Sequence, residues 1–114
     1  MSPKANPARL NPLQLRTLTL LQAIARLPQA SKAEADGAVA ITQFPHAHGD
    51  HFHLGEATVA TSDATGLENE AVWNALSRKG MIRAEYPHRI ALTPEGLSYD
   101  TGLADEILQR GGHH

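Results

Sequence analysis

The feature that most limits how this chain can fold is a long apolar stripe set between two prolines. Asn11 followed by Pro12 is a helix-start signal, because an Asn side chain caps a helix and a proline at the first helical position loses no hydrogen bond. Leucine and isoleucine then recur at helical spacing on more than one face until Pro28 ends the pattern. We expect a mostly buried helix over about residues 12–27.

The rest of the chain has to pack around this helix. Its 114 residues suffice for one core, and we expect a flexible N-terminal tail at residues 1–11, one domain at 12–110 and a disordered tail at 111–114. The absence of cysteine excludes disulfides and thiolate metal sites, and it favours a reducing, cytoplasmic location. No run approaches the roughly 20 apolar residues of a membrane helix, so we expect no membrane partner.

After the first helix the pattern changes from helical to alternating. Residues 29–37 are polar without a period, which predicts a surface connection. Apolar residues alternate with others at 39–41 and again at 52–54, which predicts two strands. Gly49 and Asp50 form the kind of pair that a two-residue turn prefers, because the first turn residue needs a positive φ. We therefore predict a β-hairpin centred on this pair.

The middle of the chain carries the pattern of a tight turn followed by an amphipathic helix. Gly66 lies where a turn between two helices needs left-handed backbone geometry. Apolar residues around Trp73 form one helical stripe, and Gly80 supplies a stop after a cationic last turn. We expect the second helix at about residues 68–79.

The last third predicts a second hairpin and a last helix. Residues 81–83 and 89–92 have the composition of short strands on either side of a proline-containing turn. Thr93 and Pro94 again combine a cap with a first-turn proline, so we expect a helix from there through Leu108.

Three segments in this order resemble a known family: residues 66–67 (GL), 76–82 (LSRKGMI) and 91–97 (ALTPEGL). Their spacing is similar to that of winged helix-turn-helix transcription regulators, over about residues 60–108 and the long first helix. The resemblance implies an α+β winged-helix fold with a long N-terminal helix, an inserted β-hairpin, a helix-turn-helix, a two-stranded wing and a C-terminal helix. In that family the second helix of the motif enters the major groove of DNA.

The resemblance implies a non-enzymatic, DNA-binding regulatory protein, acting alone or as a homodimer. The residues placed to touch DNA are polar or basic and lie on the second motif helix and the wing: Asn69, Asn74, Arg78, Lys79, Arg83, His88 and Arg89. Asparagine can read adenine, and the basic side chains can contact phosphate.

Two features oppose this interpretation. Glu68 and Glu70 at the start of the helix would repel the DNA backbone, and a net charge of −2 gives no general attraction to phosphate. The same polar residues are equally compatible with a solvated surface or a protein-docking module.

Residues 45–53 hold four of the seven histidines. Their literal pattern, His-x-His-x-Asp-His, is the metal signature of metallo-β-lactamase-fold hydrolases, but that fold needs roughly 200 residues and we do not expect an enzyme. In the predicted hairpin all four imidazoles would share one face. Such a face could bind a zinc, nickel or copper ion through His46, His48, Asp50, His51 and His53, and otherwise the sequence suggests no cofactor.

A simpler interpretation, which the sequence favours, is that these histidines are polar residues on the outer face of a hairpin. The alternative to DNA binding is therefore a metal-binding or protein-interaction module that uses residues 46–53.

Overall fold

A computed structural model describes residues 6–45 and 49–110. The helices are α1 (Pro12–Ala25), α2 (Glu70–Arg78), α3 (Pro94–Ser98) and α4 (Ala104–Ile107), with 3-10 segments at Pro28–Ala30 and Thr61–Glu68. The strands are β1 (Ser31–Ala33), β2 (Val39–Ile41), β3 (His51–Leu54), β4 (Ala57–Ala60), β5 (Ile82–Glu85), β6 (Arg89–Leu92) and β7 (Gln109–Arg110). The predicted α+β class is confirmed at the level of helices packed with antiparallel sheets.

Helix α1 begins as predicted. The Asn11 side chain accepts the backbone N–H of Gln14 at 2.8 Å, and the Gln14 side chain accepts the backbone N–H of Asn11 at 3.0 Å. This reciprocal capping box satisfies two N–H groups that a helix start leaves unpaired. The helix ends at Ala25, slightly before the predicted end.

Two apolar clusters lie on different sides of α1, which explains the width of its stripe. Leu18 and Leu21 belong to the first cluster, together with buried residues of α2, β5 and β6. Leu20 and Ile24 belong to the second, together with buried residues of β3, β4 and α4. Because α1 contributes to both clusters, it joins the two sheets of the molecule.

The first sheet has the strand order β1-β2-β6-β5. The hairpin of β5 and β6 agrees with the sequence prediction, and β2 pairs with β6 so that Val39 lies opposite Leu92. Residues 31–33, which were expected to belong to a surface connection, form β1 against β2. Three residues are too few to show a period of two, so only the partner strand reveals this strand.

The second sheet has the order β3-β4-β7 and corrects the predicted hairpin. The turn lies at Gly55 and Glu56, and not at Gly49 and Asp50, because β3 pairs with β4. Both glycines have a positive φ, of 60° and 72°, so either pair fits a turn. The pairing is decided by β4, whose Val59 lies opposite Phe52 and extends the same buried face.

The segment before α2 differs from the predicted helix-turn-helix turn in one respect. Gly66 is buried without a positive φ, and a Cβ built on it would lie 1.8 Å from Oγ1 of Thr17 on α1. Its role is therefore close approach and not left-handed geometry. Helix α2 begins at Glu70, with Asn69 as its cap, and Gly80 provides the predicted stop with a φ of 79°.

The predicted last helix is interrupted. Thr93 caps α3 by accepting the N–H of Gly96, but α3 ends at Ser98 and a second short helix, α4, follows. The break is held by Thr101, which is buried and hydrogen-bonds Thr19 of α1 at 2.6 Å, and by Gly102 with a φ of 75°. Residues 109–110 then form β7 against β4.

Residues 6–10 lie against the fold, which differs from the flexible tail predicted for 1–11. Leu10 is buried in the first apolar cluster, and the Asn6 side chain bonds both the N–H and the C=O of Leu10. The Tyr99 hydroxyl contacts Asn6 and accepts the N–H of Ala8. Residues 1–5 and the predicted tail at 111–114 lie outside the described residues.

None of the described helices combines the length and the apolar content needed to cross a lipid bilayer.

Candidate nucleic-acid interface

Helix α2 presents a stripe of small, polar and basic side chains to solvent. Ala71, Asn74 and Arg78 are exposed and lie three and four residues apart, so they share one face of the helix. Within residues 6–45 and 49–110, the side chains of Asn74 and Arg78 make no hydrogen bond or ion pair. The structure thus places two of the predicted contact residues together, with their polar groups available to a partner.

Trp73 fixes the orientation of this helix relative to the β5–β6 hairpin. Its indole N–H donates to the carbonyl of Leu67 at 3.1 Å, and its ring meets Tyr86 edge to face at a centroid distance of 4.8 Å. The Tyr86 hydroxyl in turn donates to the carbonyl of Glu68 at 2.8 Å. Because Tyr86 begins the turn between β5 and β6, these contacts hold that turn beside the start of α2.

Asn69 has a structural role in α2. Its side-chain oxygen accepts the backbone N–H groups of Ala71 at 3.0 Å and Val72 at 3.4 Å. This arrangement is an N-cap. Reading adenine needs the oxygen and the nitrogen of one asparagine amide together. Since the oxygen is engaged in the cap, Asn69 is not available for that contact in this structure.

Glu70 occupies the first turn of α2, where the sequence alone gave only a reason for repulsion of DNA. The N-terminal end of a helix carries a partial positive charge, so a carboxylate there stabilises the helix. Glu68 ends the preceding 3-10 segment and is exposed. The acidic start of α2 therefore has one structural explanation that does not involve a partner.

The last turn of α2 contributes two cations in different situations. Arg78 is exposed on the stripe described above. The ammonium group of Lys79 donates to the backbone carbonyl of Ala8 at 2.6 Å and so ties the N-terminal segment to the end of the helix. Lys79 keeps its charge at the surface but has a partner within the chain.

The two arginines of the β5–β6 hairpin are ion-paired with the loop between β1 and β2. Arg83 Nη2 lies 2.7 Å from a carboxylate oxygen of Asp36 and 3.9 Å from one of Glu34. Arg89 Nη2 lies 2.7 Å from the other carboxylate oxygen of Glu34. Glu34 is the most shielded of the four, with 28% of its side chain exposed, against 55–56% for the others. These four side chains are called the wing charge cluster below, after the wing that the sequence predicts.

The loop fixes the carboxylate of Asp36 and the backbone of Glu34. The Asp36 side chain accepts the backbone N–H of Ala38 at 3.1 Å, and the N–H of Glu34 donates to the carbonyl of Ala38 at 2.8 Å. The hydrogen bond from Ala38 and the neighbouring Arg83 guanidinium lower the pKa of Asp36, because both favour the ionised carboxyl. Asp36 is therefore a fully ionised partner of Arg83 near neutral pH.

His88 lies at the tip of the same hairpin and is exposed. Its backbone N–H donates to the carbonyl of Glu85 at 2.7 Å and closes the turn. The hairpin carries Arg83, His88 and Arg89, and its register places Arg83 and Arg89 on one face of the sheet. The other face belongs to the apolar cluster that includes α2, through the alternate residues Ile82, Ile90 and Leu92. In residues 31–38, 68–79 and 82–92, five carboxylates accompany five cations: Glu34, Asp36, Glu68, Glu70 and Glu85, with Lys32, Arg78, Lys79, Arg83 and Arg89.

The candidate metal ligands are only partly described. His51 and His53 lie on the same face of β3, with ring centroids 5.1 Å apart, and Asp50 approaches His51 at 3.2 Å. His46 and His48 lie outside the described residues. In the part of the chain that is described, no three His, Asp or Glu side chains converge as metal ligands would. The cross-strand neighbours of His51 and His53 are Ala60 and Thr58, since β3 pairs with β4.

Glu34 and Asp36 are the residues of this surface that sequence reasoning did not single out. They lie 55 and 47 residues from their arginine partners along the chain. The only local signal was the Asp36-Gly37 pair, which is typical of a turn. Comparison with models of known protein families, with curated proteins and with solved structures finds no match for this chain.

Proposed function

We propose that this chain is a winged-helix module that binds duplex DNA, with α2 as the helix that enters the major groove and the β5–β6 hairpin as the wing. The observation that supports the proposal most is the exposed stripe on α2. Asn74 and Arg78 are one helical turn apart, without partners among the described residues, and beside a hairpin that carries Arg83, His88 and Arg89.

The order of elements supports the same proposal. A long helix, two short strands, a β-hairpin, a 3-10 segment, a second helix and a second hairpin follow each other along the chain, and the early strand β2 pairs with the hairpin strand β6. In this arrangement the hairpin extends the sheet on one side of α2. A helix and a neighbouring hairpin on one surface can contact a groove and the adjacent backbone together.

The chemistry assigned to each residue follows from its donors. Asn74 can pair with the Hoogsteen edge of adenine, and Arg78 with guanine or with a phosphate. Arg83, His88 and Arg89 would lie over the sugar-phosphate backbone. Since carboxylates are as numerous as cations in residues 31–38, 68–79 and 82–92, we expect weak binding to mixed-sequence DNA and a shallow dependence on salt.

The test is fluorescence anisotropy of a labelled mixed-sequence duplex at low salt, titrated with wild-type protein and with Arg78→Ala. We expect saturable binding that Arg78→Ala weakens about five- to tenfold, with a salt slope smaller by ~1. Arg26→Ala is the matched control, because Arg26 is an exposed cation at the end of α1 and outside the proposed interface. Equal losses in both variants would contradict the assigned interface, and no binding by the wild type would contradict the function.

A further inference from the structure

We infer that Glu34 and Asp36 compete with DNA phosphates for Arg83 and Arg89, and that they thereby weaken the part of DNA binding that does not depend on sequence. This inference rests on the function proposed above. It assigns the β1–β2 loop as an element that controls the phosphate affinity of the wing, a role that no motif in that loop indicates.

The guanidinium groups of Arg83 and Arg89 are already paired with carboxylates. A phosphate oxygen would take the place that carboxylate oxygens hold now, at 2.7 Å from Nη2 of Arg83 and at 2.7 Å from Nη2 of Arg89. Carboxylates and phosphates offer an arginine the same kind of paired acceptor oxygens. A phosphate that binds Nη2 of Arg83 or Arg89 therefore has to displace a carboxylate.

The Asp36 carboxylate is already ordered within the loop. Asp36 is held by the N–H of Ala38, and Gly37 takes a φ of 90°, which allows the tight turn. Because the Asp36 side chain is already held, it loses little conformational entropy when it pairs with Arg83. A DNA phosphate reaches the arginine only by bimolecular association, which costs translational and rotational freedom.

The register of the four-stranded sheet places small residues between Arg83 and the loop. The register places Arg83 opposite Ala91, and Ala91 opposite Ala40, in one row across β5, β6 and β2. Between Arg83 on β5 and the β1–β2 loop, this row therefore contains only the methyl side chains of Ala91 and Ala40. Small side chains in this row let the long arginine reach the loop.

The contrast with α2 gives the functional consequence. Asn74 and Arg78 are available for base edges, whereas the wing cations are neutralised. Phosphate contacts carry no sequence information, and they provide nearly all of non-specific affinity. Because phosphate contacts are common to all sequences, neutralising the wing lowers the affinity for every duplex about equally, and it leaves discrimination between sequences to α2.

The test replaces both carboxylates by isosteric amides, in the variant Glu34→Gln with Asp36→Asn. The Asn oxygen can still accept the N–H of Ala38, so the loop should keep its fold. The matched control is Glu56→Gln with Glu106→Gln, which changes the net charge equally on the β3–β4 turn and on α4. Each protein is titrated into the labelled mixed-sequence duplex at several salt concentrations, and circular dichroism checks that each is folded.

We expect the loop variant to bind roughly five- to tenfold tighter than the control variant, with a salt slope steeper by ~1–2. Adding Arg83→Ala and Arg89→Ala to the loop variant should remove this gain. A gain that survives the loss of both arginines would overturn the inference, and so would equal affinities of loop variant and control while the wild type binds through Arg78. If no protein binds, the proposed function and the inference both fail.

Discussion

The two sheets of this molecule differ in what surrounds them. The four-stranded sheet packs with α2 around Trp73 and carries the wing charge cluster, and we refer to this part as the wing half. The three-stranded sheet packs with α4 and carries the histidines of β3, and we refer to it as the hairpin half. In the wing half, the side chains that form ion pairs lie 47 and 55 residues apart along the chain. In the hairpin half, β7 at residues 109–110 pairs with β4 at residues 57–60. The difference teaches that one helix, α1, has to stabilise two surfaces of different chemistry.

The largest expected effect tests whether the halves are separate folding units. Phe52→Ala removes a buried ring from the hairpin half and should lower the free energy of unfolding by about 3–5 kcal/mol. Because both apolar clusters share α1, we expect the fluorescence of Trp73 and the far-ultraviolet circular dichroism to lose their signals at the same urea concentration.

The milder Phe52→Leu serves as the control if Phe52→Ala does not fold. A Trp73 transition that stays at its wild-type midpoint while circular dichroism shifts would break the comparison. It would mean that the wing half folds on its own.

The next effect concerns the segment that connects the halves. Gly66→Ala places a methyl group against Thr17 and should cost about 1–3 kcal/mol, measured by urea unfolding. Combining it with Thr17→Ala removes the nearest obstacle, so part of the stability should return. A double variant no more stable than Gly66→Ala would show that the contact with the Thr17 hydroxyl is not what requires glycine.

A smaller effect distinguishes residues of α2 that stabilise the fold from residues that are proposed to bind DNA. Asn69→Ala removes the cap of α2 and should cost about 1 kcal/mol of stability. Asn74→Ala, on the exposed face of the same helix, should change stability by less than about 0.5 kcal/mol but weaken DNA binding. Urea unfolding and anisotropy together check both variants, and the opposite pattern would assign base contact to Asn69.

The smallest effect is the pH dependence of the wing charge cluster. The pKa of Asp36 is lowered by its contacts with Ala38 and Arg83, so the folded state favours the carboxylate. This contribution is present above the ordinary pKa of an aspartate, and it is lost as the pH falls through the lower pKa of the folded state. The stability difference between wild type and Asp36→Asn should therefore narrow from pH ~5 to ~3. A difference that is constant over this range would contradict the assigned contacts.

The parts of the fold that were predicted correctly are those with signals between residues close in sequence. The capping pairs Asn11-Pro12 and Thr93-Pro94 start helices where expected, because a cap is made within four residues. The β5–β6 hairpin was equally evident, since both strands lie within eleven residues. The predictions that were missed or wrong depend on contacts between distant residues. Strands β1 and β7 are defined by their pairing with β2 and β4. The turn after β3 lies at Gly55, and not at Gly49, because β3 pairs with β4.

The features of the candidate site also fall into those set by nearby residues and those set by distant contacts. The exposed positions of Asn74 and Arg78 follow from helical spacing, which the sequence displays. The engagement of the Asn69 oxygen depends on the residue at which α2 begins, and a sequence pattern leaves that uncertain by a few positions. The pairing of Arg83 and Arg89 with Glu34 and Asp36 depends on the β1-β2-β6-β5 order, which no local pattern contains.

The pairing of β4 with β7 has a consequence for the newly made chain. Thr58 lies opposite Gln109, and Ala57 lies opposite Arg110. On the ribosome, β3 and β4 emerge well before β7 is made, and synthesis proceeds at about 5–20 residues per second. For several seconds the growing chain therefore exposes an unpaired strand edge, which is the surface that a chaperone or another nascent chain would meet first.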